Sequence, residues 1–427
     1  MAGEAFAAAL RRHDETVEIV LVERERVGGE CSYFACMPSK TLLRAPELVH
    51  QSSIAPGVEG AAIDPARVFE WRDAITGRGD DSSQADYLES LSVRLVRRSA
   101  RVVRPGVLDL GGDELEYGRL VLATGSVPAV PPVDGLDGVE YWTNREATST
   151  SEVPESLVVL GGGPVGSELA QFFTRVGSRV TVVDHSPRLL GREDADAGAL
   201  LEEVFREEGI ELVLGTSVDR IEPGIRVTAG DRTIESERVL VATGRRPNTE
   251  GFGLDQLGLN IARRGVEVDD RLRAGPDVWA IGDVTGVAMF THVGKYQARV
   301  AAADVAGLPA KADYRAVPRA IFTDPQVAAV GTTDGDGLVT STWKVDATSR
   351  ASTYERPKRP GFVKLAADPD RRVLTGAVAV GPEAGEWLQQ IALAIRAEVP
   401  VDVLRDTIQP YPTFSEAIFF AARDLPL

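Results

Sequence analysis

Cysteine is nearly missing from this chain: two in 427 residues, with four histidines and none of them close to the pair in sequence. That scarcity excludes a disulfide-stapled scaffold and a four-ligand zinc site, which needs a second cysteine pair or histidines at ligand spacing. Positive charge is also short. Lysine and arginine number 47 against 64 acidic residues, giving a net charge of −17 and a pI near 4.9. No nucleic-acid partner is expected, because that would demand a basic face. No apolar run approaches the ~20 residues that span a bilayer, so no membrane partner is expected either. In the first twelve residues the arginines follow the apolar stretch, the reverse of a secretory signal, and a cytoplasmic location is expected. What is present is ordinary for a soluble globular protein: 43% hydrophobic and 26% charged residues. The length predicts two to four domains. Forty-two glycines and 25 prolines fit a fold rich in tight strand–helix turns.

The two cysteines lie in one stretch, Gly28-Gly-Glu-Cys-Ser-Tyr-Phe-Ala-Cys-Met-Pro-Ser-Lys40. Residues 17–23 before it read as a strand and 38–49 after it as a helix. A thiol at a helix N-terminus meets unpaired N–H groups and the positive end of the dipole, which favour thiolate. Redox chemistry is the reading this setting invites. Two inert buried thiols are the plain alternative.

Two parts of the chain repeat each other. In the second copy, Leu157-Val-Val-Leu160 reads as a strand, followed by Gly161-Gly-Gly-Pro-Val-Gly166, a helical run over 167–176, and a strand over 179–183 ending in Asp184. Val239-Leu-Val-Ala-Thr-Gly244 closes the unit. Strand, glycine turn, helix, strand and acid form the dinucleotide-binding pattern, with Gly161, Gly163 and Gly166 admitting a pyrophosphate to the helix N-terminus. The first copy begins inside that pattern. Gly3 stands where the last glycine belongs, followed by a helix over 5–12, a strand over 17–22 and Glu23. Leu120-Val-Leu-Ala-Thr124-Gly125 closes it. The strand and first two glycines have no counterpart. One expectation is a misassigned start codon with roughly a dozen further residues upstream, judged from the second unit. Its rival is a truncated binding subunit that holds its dinucleotide poorly and has no catalysis.

Later segments read more coarsely. A helix is expected from Asp81 through Val96, and 126–154 reads as a connector. Val278-Trp-Ala-Ile-Gly282-Asp283 is a short strand ending in a turn. A helix follows over 295–306, introduced by Thr291-His292-Val293. From about Tyr314, strands are expected over 321–330, 361–366 and 373–380, and helices over 383–396 and 401–408.

Gly-Gly-x-Cys-x4-Cys-x-Pro-Ser-Lys, the two nucleotide units and the C-terminal segment together resemble the class I pyridine nucleotide–disulfide oxidoreductases, the family of dihydrolipoamide dehydrogenase, glutathione reductase and mercuric reductase. The resemblance implies an α/β fold. Residues 1–150 and 274–313 would form an FAD-binding domain, 151–273 an NAD(P)-binding domain, and 314–427 an α+β domain that forms a homodimer. It implies electron flow from NAD(P)H through FAD to a Cys31–Cys36 disulfide and on to a small-molecule acceptor. Cys36 would lie against the flavin and Cys31 would be the exchange thiol. Gly3, Glu23, Gly28, Gly29, Thr124, Gly125, Gly244, Gly282 and Asp283 would serve the cofactors, with Asp283 on the ribityl chain and His292 beside the flavin ring. A capping or solvated histidine is the alternative for His292. Lys40 would reach the flavin, paired with Glu168. Asp184 leans the cofactor choice toward NAD, since a carboxylate there accepts from a ribose 2′-hydroxyl and repels a 2′-phosphate; His185 and Arg188 nearby could offset it.

The family pattern breaks at the acceptor site. Where it carries His-Pro-x-x-x-Glu, this chain has Tyr411-Pro-Thr-Phe-Ser-Glu416. A tyrosine ordinarily titrates near ~10 against ~6.5 for histidine, so it is a poor base near neutrality. Efficient lipoamide or glutathione turnover is not expected. Mercury reduction is not expected either, because the C-terminus lacks a cysteine pair. A diaphorase or quinone reductase using flavin directly is the alternative enzyme.

Overall fold

The computed structural model describes residues 1–354 and 361–427. Contacts gather the chain into two units. The first comprises Met1–Pro38, Arg72–Ala129 and Gly244–Asp313.

This unit opens with the helix Ala2–His13, which buries Phe6, Ala7, Ala8, Ala9 and Leu10. Alanine-rich sequence favours the helix. Glu4 in its first turn and Arg11, Arg12 and His13 in its last complement the dipole. The strand Ile19–Val22 then pairs in parallel with Val93–Val96. Leu120–Leu122 pairs in parallel with Val278–Ala280, which carries Arg273–Gly275 on its other side. Phe6, Leu10, Ile19, Val93, Trp279 and Ala298 share one core. The helix Thr291–Val305 packs on the first helix.

One expectation is corrected here. The helix predicted from Asp81 through Val96 stops early: Ser82–Ser90 is helical with Asp81 as its N-cap residue, and Val93–Val96 is a strand. Ser92 adopts φ 54°, which ends the helix. Val93 and Leu95 then alternate with Arg94 and Val96, and pairing with Ile19–Val22 overrides the helical spacing.

The second unit comprises Ser39–Trp71, Val130–Thr243 and Tyr314–Leu427. Its parallel sheet runs in the order Glu211–Leu214, Arg179–Asp184, Ser156–Leu160, Arg238–Val241. Every residue of Ser156–Leu160 is buried, as a strand covered on both faces must be. Phe172 and Phe173 of the helix Pro164–Arg175 meet edge to face at 5.0 Å and pack with Leu42, Phe69 and Leu240. The C-terminal part is a five-stranded antiparallel sheet in the order Pro318–Ile321, Gln326–Gly331, Val373–Gly381, Phe362–Asp368, Val339–Lys344. Short helices cover it, including Gln389–Arg396 and Glu416–Arg423. The single strand expected over 321–330 is a hairpin, with residues 322–325 making the reversal. The single helix expected over 383–396 is two, Ala384–Trp387 and Gln389–Arg396.

The two parallel sheets differ in one respect. In the second unit, Ser156–Leu160 lies between Arg179–Asp184 and Arg238–Val241. In the first unit, the matching strands Ile19–Val22 and Leu120–Leu122 belong to separate sheets, and among the described residues no strand joins them. Accordingly Val20, Leu21, Val22, Leu120 and Val121 are half-buried, whereas Val180, Val182, Val183, Val239 and Leu240 are buried.

Candidate active site

In the first unit, Cys31 sits in the short helix Gly29–Tyr33, whose N-cap is Gly28, and Cys36 is the first residue of the helix Cys36–Ile54. That helix starts two residues earlier than its sequence pattern predicts. Both cysteines are free thiols and half-buried. The neighbouring Cys36 side chain and burial push the Cys31 thiol up, while the Thr291 hydroxyl pulls it down. Thr291 Oγ1 also lies 3.4 Å from Cys36 Sγ. Beside it, the His292 ring lies flat against Phe290 at 5.3 Å.

Asp283 lies in the turn after Val278–Ala280, as expected, and Ser126 Oγ donates to its Oδ2 at 2.5 Å. Arg245 Nε donates to the same serine hydroxyl at 2.7 Å and Nη2 to the Ser126 carbonyl at 2.8 Å. It also pairs with Glu30 at 3.4 Å. Ser126, Arg245 and Thr291 were missed by motif reading. They belong to no glycine or cysteine signature, and only the pairing of Arg245–Pro247 with Ser126–Pro128 joins the first two. Thr124 spends its hydroxyl on the Asn248 carbonyl at 2.6 Å, so it fixes the closing loop. Gly125 accepts from the Asn248 N–H and Gly244 from that of Ala129 in the same loop pair. Glu23 ends the strand Ile19–Val22, with Oε1 accepting from the Glu25 N–H.

The donors and acceptors here fit FAD. Gly282 and Gly294 approach Ala2 so closely that an added Cβ would stand 3.2 and 3.4 Å from its methyl. The first turn of the Ala2–His13 helix, which holds Gly3, therefore lies close to Gly282, the residue before Asp283. A positive helix end suits a pyrophosphate and a carboxylate suits ribityl hydroxyls. Glu23 offers a further carboxylate to hydroxyls.

In the second unit, Lys40 follows Cys36 by one helical turn and donates to Glu168 Oε2 at 2.7 Å. Glu168 is buried, and its Oε1 accepts the Phe322 N–H at 2.9 Å. The Phe322 ring lies 4.8 Å beneath the Lys40 ammonium. Both carboxylate oxygens are thus held and the charge is paired, which burial requires.

The nucleotide turn has the geometry its sequence predicts. Gly161 has φ 110°, and a Cβ on Gly166 would sit 1.8 Å from the Gly161 carbonyl, so only glycine allows the helix to start this close to the strand. Gly163 caps that helix and faces open space. This cradle fits NAD(P), with Asp184 at the end of the next strand. Asp184 accepts from the Gly162 N–H at 2.5 Å and the Ser186 N–H at 2.8 Å. His185 Nδ1 lies 3.1 Å from its Oδ1. Arg188 donates to the carbonyls of Leu190, Glu193 and Gly191 at 3.2, 2.8 and 3.0 Å. In the C-terminal part, Tyr411 is 74% exposed, and Glu416 accepts from the Thr413 N–H at 3.2 Å. No helix among the described residues is long and apolar enough to cross a membrane.

One complete dinucleotide turn, a second nucleotide unit that begins inside the same pattern, a thiol pair and a C-terminal antiparallel sheet define a flavoprotein reductase architecture. The chain belongs to the pyridine nucleotide-disulphide oxidoreductase family: that family's model matches residues 1–303, and its dimerisation domain matches residues 317–422. It is 36% identical to mercuric reductase of Streptomyces lividans, over 98% of this chain and 93% of the relative. It is 33% identical to dihydrolipoyl dehydrogenase 2 of Haloarcula marismortui, with the same coverage. Among solved structures, LpdA of Mycobacterium tuberculosis superposes with a TM-score of 0.88 at 28% identity, over 99% of this chain and 97% of that one. The flavoprotein disulfide reductase RclA of Escherichia coli, at 24% identity and a TM-score of 0.88, shares the fold. The protein is therefore an FAD-dependent oxidoreductase that uses NAD(P), and its dimerisation domain supports a homodimer.

Proposed function

We propose that this enzyme carries electrons from NADH to a Cys31–Cys36 disulfide and from there to a small-molecule acceptor. The observation that carries the reading is the thiol pair itself, two half-buried free cysteines in the stretch that the family motif marks, with Cys36 Sγ 3.4 Å from the Thr291 hydroxyl. Bound FAD supplies the two-electron chemistry between nicotinamide and disulfide. The side chains do the rest. Two electrons and one proton break the S–S bond and leave one thiol and one thiolate. For a disulfide acceptor, Cys31 attacks one acceptor sulfur and releases the other as thiolate; Cys36 then displaces the bound half and re-forms the S–S bond. Lys40, fixed by Glu168, would offer a positive charge to the reduced ring. The partner subunit contributes Tyr411 and Glu416 to the acceptor side.

NADH rather than NADPH is supported by two features. Asp184 keeps a carboxylate at the ribose position. Arg188, the nearby cation that could welcome a 2′-phosphate, is occupied by three carbonyls. A second reading, direct reduction of a quinone, is favoured by Tyr411 in place of the family's proton-shuttling histidine.

The test is the double variant Cys31→Ser/Cys36→Ser of the flavin-loaded enzyme, assayed with NADH and NADPH against disulfides and quinones. The relay reading expects disulfide reduction to vanish. Quinone reduction as the enzyme's principal activity, surviving undiminished, would give the second reading the ground. A kcat/KM for NADPH equal to that for NADH would remove the cofactor assignment.

A further inference from the structure

Thr291 opens the 15-residue helix Thr291–Val305, and nothing in the motif pattern singles it out. Its hydroxyl stands 3.4 Å from Cys36 Sγ and also lowers the proton affinity of Cys31. One hydroxyl therefore serves both sulfurs, at the positive end of a helix dipole.

We propose that Thr291 is a positioning residue that holds the reduced Cys31–Cys36 pair in a thiolate-bearing form and thereby sets its dithiol–disulfide balance, an inference that rests on the relay reading above. The argument is one of donors and acceptors. A thiol can donate or accept, a thiolate only accepts, and a disulfide sulfur is a poor acceptor of either kind. Once the pair has lost one proton, the remaining proton bridges the sulfurs and the negative charge needs a second donor. The Thr291 O–H supplies it. On oxidation that bond weakens, so it favours the reduced pair. The direction of the hydroxyl's effect on Cys31 agrees, since it lowers the proton affinity that Cys36 and burial raise.

Thr291→Val removes the hydroxyl and keeps the branched volume; Thr291→Ser keeps the hydroxyl and removes the methyl. Flavin-loaded parent and variants are equilibrated in glutathione buffers, and the fraction of Cys31–Cys36 disulfide is read by mass spectrometry. The exchange balances: one protein disulfide and two glutathiones give one protein dithiol and one glutathione disulfide. The rate of iodoacetamide labelling against pH is measured on the reduced proteins. Thr291→Val is expected to move the equilibrium roughly tenfold toward the disulfide, about 30 mV for a two-electron couple. It should also raise the labelling midpoint by about one pH unit. Thr291→Ser should stay within about twofold of the parent. If the parent forms the disulfide and Thr291→Val matches it in both measurements, or if Thr291→Ser shifts as far as Thr291→Val, the role of the hydroxyl is overturned. A parent that forms no Cys31–Cys36 disulfide overturns the relay and this inference together.

Discussion

Glu168 shows how much a single side chain decides here. It is buried, and its two oxygens face different partners, the Lys40 ammonium and the Phe322 N–H. Glu168→Gln keeps an acceptor for one partner and loses the charge for the other. The loss of one charge-assisted bond, about 1.5–3 kcal/mol, should lower NADH-dependent turnover roughly tenfold to hundredfold while thermal stability moves little. Glu168→Ala removes the acceptor from both the Lys40 ammonium and the Phe322 N–H and empties a buried position, so it should lower Tm as well. Steady-state rates with differential scanning calorimetry separate the two outcomes; equal rates in Glu168→Gln and the parent would deny Lys40–Glu168 a part in the chemistry. Tyr411 is the complementary case, an exposed residue that, on the proposed reading, would limit the range of acceptors. Replacing it by histidine supplies a base that titrates near neutrality, and general acid–base help is worth roughly 10²–10⁴ in rate. Lipoamide or glutathione-disulfide reduction by Tyr411→His should rise within that range at pH 7–8, with quinone reduction unchanged. No rise would mean that the tyrosine is not what restricts the acceptor.

Among the elements, the helix Thr291–Val305 has the most to hold in place, because its first residue touches the thiols. Its far end is tied down by Asp304. Arg273 Nε and Trp279 Nε1 donate to Asp304 Oδ2 at 2.6 and 2.9 Å, and Arg273 Nη2 donates to Oδ1 at 3.1 Å. Burial alone would raise this carboxyl, but the bonds from Arg273 and Trp279 outweigh it and hold it below its ordinary 3.8. A carboxyl depressed in the folded state contributes stability above that ordinary value and loses it as pH falls through the folded one. Asp304→Asn should therefore cost about 1–3 kcal/mol at pH 7, with the gap to the parent closing below roughly pH 4. Denaturant titrations at pH 7 and pH 3 check this, and an equal deficit at both would refute the assignment. The strands give a second expectation. Ile19–Val22 and Leu120–Leu122 belong to separate sheets, so their amides should exchange with deuterium much faster than those of Ser156–Leu160; equal protection would contradict the sheet order. Elements of this kind also show where the sequence was readable. The glycine turn, Asp184, the cysteine stretch and the Gly282-Asp283 turn were legible because each needs particular residue types at short spacing. Ser126, Arg245 and Thr291 were not, because their partners lie up to 255 residues away and an ordinary serine, arginine or threonine carries no local signature. The 81–96 helix was misjudged because apolar spacing over that run suits either a helix or a strand, and the decision came from a partner strand far off in the chain.

At the scale of the whole molecule, the C-terminal domain must do something with the apolar surface it exposes. Ile408 is 93% exposed and Tyr411 74%, and Leu393 and Val403 are more than half exposed as well. Isolated apolar side chains on a surface are normal, but these four lie within the family's dimerisation domain, residues 317–422. Around them the domain is well packed: Phe414, Ala417 and Ile418 bury themselves against the antiparallel sheet. The exposed set is thus left over from a complete core, which is the condition for burying it against a second copy. An aspartate at 408 would place a charge in that contact and cost the dimer without touching the fold of the protomer. Ile408→Asp should therefore run at about half the parent's mass by light scattering, with its circular dichroism unchanged. Because Tyr411 and Glu416 are read as acting on the partner's thiols, such a monomer should keep NAD(P)H binding, for which the glycine turn and Asp184 belong to one protomer. It should lose turnover with any acceptor that needs the Tyr411 side. A variant that stays dimeric would move the interface elsewhere on the domain. A monomer with full acceptor turnover would show instead that each protomer completes its own site.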